Sequence, residues 1–106
     1  MSLAAEISKD DPLWKYSDPK MVSRKMIAYS QDKVKVYRST RKDKKYMIYH
    51  PNTGRKVHFG QMKYKDYTKH KDETRRNRYL ARAEGIRGNW QNDKFSPNNL
   101  SIHILW

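Results

Sequence analysis

The sequence contains no cysteine, which excludes both a disulfide framework and a thiolate zinc site. Aliphatic and phenylalanine content is low: Leu, Ile, Val and Phe together number 17 of 106 residues. A chain this poor in apolar surface orders only a thin core, and its eight Tyr, three Trp and five Met must supply much of the buried area. No stretch approaches the roughly 20 apolar residues that cross a bilayer. The first residues, MSLAAEISKDDPLWKY, carry no apolar run of the signal-peptide kind, so a soluble intracellular protein with no membrane span is expected. Acidic residues are also few. Eleven stand against 24 basic ones, giving a net charge of +13. Such a chain attracts polyanions, so nucleic acid, an acidic membrane or an acidic protein surface is the expected class of partner.

What the sequence does contain is concentrated between Lys44 and Glu84. Lys33–Arg38 alternates strictly, with Val34 and Val36 on one face and Lys33, Lys35 and Tyr37 on the other. Tyr46–His50 and Arg55–Gly60 follow, separated by the turn Pro51-Asn52-Thr53-Gly54. Pairing His50 with Arg55 sets Ile48 opposite Val57 and Tyr46 opposite Phe59, both on the core side. Met47, Tyr49, Lys56 and His58 then share the outer side with Lys35 and Tyr37. Tyr64 and Tyr67, spaced i and i+3, are placed to cover the edge of the core.

Three sites carry helix-start chemistry. Asp18-Pro19 and Ser96-Pro97 pair a capping residue with a proline at the first helical position. Asp72 caps a longer helix running to Gly85, with Glu73 in its first turn. That helix is predicted to bury Tyr79, Leu80 and Ala83, with Arg76 beside them. Lys71, Arg75, Arg78 and Arg82 recur at intervals of 4, 3 and 4 and read as one basic ridge. The expected fold is therefore α+β: a small three-stranded antiparallel meander packed by one main α-helix. Residues 32–85 form the compact part, 1–31 an N-terminal arm with a short helix, and 86–106 a C-terminal tail ending in a short apolar helix.

The arm holds an apolar knot of Leu13, Trp14 and Tyr16 beside Asp10-Asp11-Pro12, and the tail holds Trp90, Phe95, Leu105 and Trp106. Two readings stand for these residues: anchors on a neighbouring protein, or packing against their own domain.

Catalytic and metal patterns are missing. His50, His58, His70 and His103 lie in no HxH or HExxH spacing, no acidic pair suggests acid–base work, and neither a Gly-rich phosphate loop nor a GxSxG elbow occurs. No enzyme, cofactor or metal site is expected. The pattern with positive content is basic plus aromatic: the sheet face Lys33, Lys35, Tyr37, Tyr49, Lys56 and His58, and the ridge Lys71, Arg75, Arg78 and Arg82. These residues suit a polyanion or an acidic protein surface. The alternative is that they form only the solvated side of a two-layer domain.

His58-Phe59-Gly60, Tyr64, Asp66-Tyr67-Thr68, His70-Lys71-Asp72, Arg75, Arg78-Tyr79 and Arg82, with Asn89-Trp90 and the closing Leu105-Trp106, carry a resemblance. Over about Lys44 to Trp106 the chain resembles a family of small uncharacterised basic proteins encoded by nucleocytoplasmic large DNA viruses and related giant viruses. The resemblance implies a viral source, with the protein in the virion and in host cytoplasm or nucleus during assembly. It brings no activity with it. Two roles fit that setting. One is a minor capsid or other virion structural protein whose arm and tail bridge major capsid or other minor capsid subunits. The other is a DNA-binding protein that packages the genome without reading sequence.

Overall fold

A computed structural model describes residues 3–106, and Met1 and Ser2 of the predicted arm lie outside it. The elements run α1 (Leu3–Glu6), α2 (Leu13–Tyr16), α3 (Pro19–Ser30), β1 (Tyr37–Arg38), β2 (Lys44–Tyr49), β3 (Lys56–Gln61), α4 (Tyr67–His70), α5 (Glu73–Glu84) and α6 (Pro97–Leu100). A 3₁₀ turn at Trp90–Asn92 precedes α6, and a π-helical turn over Ser101–Leu105 continues it. That last turn is closed by the Trp106 N–H donating to the Ser101 carbonyl at 3.1 Å. No helix among the described residues is long and apolar enough to cross a membrane.

The fold is α+β, with one open antiparallel sheet in the order β1-β2-β3. The β2–β3 register is the one expected: Tyr46 opposes Phe59 and Ile48 opposes Val57. The turn is tied by His50 N–H to the Arg55 carbonyl and Gly54 N–H to the His50 carbonyl, each at 2.8 Å. β1 is shorter than its alternation suggests. Residues 33–36 carry no regular structure, and only Tyr37 and Arg38 join the ladder. Val34 and Val36 are nevertheless buried and Lys33 and Lys35 exposed, so the alternation reports burial rather than pairing.

The helix that packs the sheet is not the expected one. The core cluster joins Tyr46, Ile48 and Phe59 to Val22 and Met26 of α3, and to Leu100, Ile104 and Leu105 of the C-terminal helix. Leu3, Ile7 and Leu13 join it from the arm, and Val34 and Val36 from the segment before β1. α5 buries only Ala83, while Tyr79 and Leu80 stay half-buried. The reason is apolar area. ETRRNRYLARAE has two large apolar side chains to offer, whereas α3 aligns Val22 with Met26 and the tail ends in the chain's most apolar run.

All three expected caps are present. Asp18 accepts from Lys20 N–H, Asp72 from Thr74 and Arg75 N–H, and Ser96 from Asn99 N–H. The predicted anchors are largely turned inward. Leu13 and Leu105 are fully buried and offer no surface to a neighbour. Trp14 donates its indole N–H to the Ser8 carbonyl at 2.9 Å, and Trp90 donates to the Ile86 carbonyl at 2.7 Å. Phe95 packs on the core, edge-on to Tyr29 and to His50. Tyr16 is half-buried, and its carbonyl accepts the Asp66 N–H at 3.0 Å.

Candidate nucleic-acid interface

β3 is an edge strand, and α5 stands beside it without closing on it. Between them lies a groove of about 810 Å³. Arg75, Arg78 and Arg82 line it from the helix, at i, i+3 and i+7. His58, Gly60 and Gln61 line it from the strand, with Lys44 and Lys65 at the sheet end. Leu105 and Trp106 of the C-terminal helix also line it. The groove thus exists because the apolar tail, rather than α5, packs the core, holding the basic helix off the sheet edge.

Its electrostatics are of one sign. No Asp or Glu is among its described lining residues. Lys44, Lys65, Arg75, Arg78 and Arg82 make no ion pair among the described residues. Arg76, on the neighbouring face of α5, is engaged instead: its Nε donates to the Trp106 carbonyl at 2.8 Å and its guanidinium lies over the Tyr67 ring.

Aromatic rings shape the helix side. Tyr79 and Trp106 stack with centroids 4.2 Å apart and planes 10° from parallel, and His70 lies 5.1 Å from Trp106. Burial raises the Tyr79 hydroxyl above its ordinary value, against a lowering by Ser101 and Arg82, so the phenol stays neutral. Tyr64 behaves differently. It does not cover the core edge as its spacing with Tyr67 suggests, and the residue is 66% exposed at the groove.

A buried polar network fixes the end of the groove near Tyr64. Lys45 and Asp66, with side chains 2% and 1% exposed, form an ion pair at 3.1 Å. Lys45 Nζ also donates to the Tyr64 carbonyl at 2.6 Å and reaches the Tyr16 carbonyl at 3.4 Å. Burial pulls the Lys45 ammonium below its ordinary value, and the Asp66 carboxylate partly restores it. The Thr68 hydroxyl donates to Asp66, so the Ser17 hydroxyl donates to Thr68 at 3.2 Å and Tyr46 donates to Ser17 at 2.7 Å. Every member has a partner, as a buried network requires.

Of the basic and aromatic residues singled out from sequence, the groove gathers His58, Arg75, Arg78 and Arg82. Lys71 is not in the ridge. It precedes the Asp72 cap in a left-handed conformation, φ 55°, and lines a separate cleft with Trp14, Lys20 and Thr68. Tyr37, Tyr49, Lys56 and His58 do share the outer sheet face, where Tyr37 meets Tyr49 edge-on at 5.6 Å. His58 Nδ1 pairs with the Ser39 hydroxyl at 2.7 Å, and burial, then Arg41 and Lys56, lowers its pKa. Lys33 and Lys35 sit before β1, outside the groove. Sequence reasoning missed Lys44, Lys65 and the exposure of Tyr64. The Lys63-Tyr64-Lys65 run, an aromatic between two lysines, was the available signal.

No curated protein and no solved structure matches the chain. Residues 34–83, which take in the whole sheet, the Lys45–Asp66 pair and the arginines of α5, match the model of a family of unknown function, DUF5754.

Proposed function

We propose that this chain is a non-enzymatic nucleic-acid-binding protein that holds a sugar–phosphate backbone in the groove between β3 and α5. The observation that carries the proposal is a concave surface bearing five cations without an Asp or Glu partner and no lining Asp or Glu among the described residues. Cations so placed neutralise phosphates and release counterions, which supplies affinity without reading sequence. The net charge of +13 adds long-range attraction for the same ligand. In the giant-virus setting that the resemblance implies, the ligand is viral nucleic acid, bound as the genome is packaged or organised.

The other expected role, cementing capsid subunits through arm and tail, has less support. Its anchors are engaged elsewhere: Leu13 and Leu105 lie in the core, and Trp106 is stacked on Tyr79.

The test is fluorescence anisotropy with DNA of unrelated sequences over a series of salt concentrations. Five phosphate contacts predict a slope of log K against log salt of roughly −3.5 to −4.5, alike for every sequence. A flat salt response excludes the proposal.

A further inference from the structure

Resting on the nucleic-acid reading of the groove, we infer that its ligand is single-stranded and that Tyr64 is the platform on which a base stacks. Two features support this. The first is shape. Duplex DNA is read by convex elements, a helix or a two-stranded ribbon, that enter its major groove. Here the cations line a concavity between a strand edge and a helix, the form in which proteins enclose one strand and track its backbone.

The second is how Tyr64 is held. Its carbonyl accepts from the buried ammonium of Lys45 at 2.6 Å, and Lys45 is itself locked to Asp66. Lys63 before it takes a positive φ of 74°. The backbone is therefore fixed while the ring stands in solvent between two lysines, at a groove whose far wall is arginine. An aromatic ring that contributes nothing to the core, on an anchored backbone beside phosphate-binding cations, is placed to stack on a base. Tyr79 and Trp106 do not compete for that role, because they stack on each other.

The experiment measures the full chain and its Tyr64→Ala and Tyr64→Phe variants against four probes: oligothymidylate, oligouridylate, a mixed-sequence DNA duplex and inorganic polyphosphate. Base–aromatic stacking predicts that Tyr64→Ala weakens binding to the single strands by roughly 5- to 100-fold. Tyr64→Phe should stay near the parent, polyphosphate affinity should be the same for all three proteins, and the parent should prefer single strands to duplex. Whether thymidylate or uridylate binds more tightly identifies DNA or RNA as the source. Unchanged oligonucleotide binding by Tyr64→Ala, or an equal loss on polyphosphate, overturns the stacking role while leaving the groove as a phosphate site. A parent protein that binds neither the single strands nor the duplex overturns the nucleic-acid reading itself, whatever its affinity for polyphosphate.

Discussion

Lys45 and Asp66 stand 3.1 Å apart with almost no solvent contact, and through them β2, the Tyr16–Ser17 bend and the Tyr64 segment are joined. Removing one partner of such a pair leaves an uncompensated buried charge, which costs about 3–5 kcal/mol. Lys45→Met and Asp66→Asn should each destabilise the fold by that order in urea unfolding. The Lys45→Met/Asp66→Leu double variant should recover part of the loss, because it removes both charges. Single variants that cost under about 1 kcal/mol would mean that water reaches the pair.

The sequence disclosed what is decided within a few residues and concealed what is decided by competition across the chain. The register of β2 against β3 follows from one turn, and the caps at Asp18, Asp72 and Ser96 from side chains bonding two or three residues on. Which helix packs the sheet is a different question. It depends on α3 and the tail outbidding α5 for the same apolar face, which only a comparison of all three reveals. Lys45 was hidden for another reason: in an alternating strand it reads as a solvent-facing lysine, and its partner lies 21 residues away. The ridge failed only at Lys71, which lies before the Asp72 cap, so the helical periodicity begins too late in the chain to include it.

Gly60 should be the least replaceable glycine in the chain. Its φ is +81°, and a Cβ there would stand 2.7 Å from Leu105 Cδ1 and 3.3 Å from Lys45 Cβ. Gly54 is the natural control, with φ +73° and open space around it. Gly54→Ala should cost about 1 kcal/mol, for backbone strain alone. Gly60→Ala should cost a further 1–3 kcal/mol or so, from overpacking against the tail. Equal effects in chemical unfolding would show that Leu105 yields freely.

Acid should loosen the junction between α4 and α5 through His70. Its Nδ1 accepts the Asp72 N–H at 2.8 Å, a bond that a protonated ring cannot accept. Burial, then Arg75, lowers its pKa below the ordinary 6.5. In the unfolded chain the ring takes up its proton near the ordinary value, and in the fold only at lower pH. The unfolded state therefore binds more protons in that window. The contribution is complete above about pH 6.5 and is lost as pH falls through and below it. His70→Asn keeps an acceptor but cannot titrate, so its Tm should fall less than the parent's between about pH 8 and pH 5. Parallel Tm profiles would rule His70 out as the source.

The groove makes a sharper claim about charge than net composition does, because it separates cations that overall charge treats alike. Arg78 lines it, whereas Lys71 lies in the other cleft. If binding reflected only the +13 total, Arg78→Ala and Lys71→Ala would weaken it equally. If phosphates sit in the groove, Arg78→Ala should lower the salt slope by about 0.7–0.9. The same loss follows for Arg75→Ala and Arg82→Ala, while Lys71→Ala should leave the slope close to the parent's. Anisotropy titrations of the four variants on one oligonucleotide decide between them. A Lys71 effect as large as that of Arg78 would mean that the cations act as a diffuse field, and the groove would lose its place as the seat of binding.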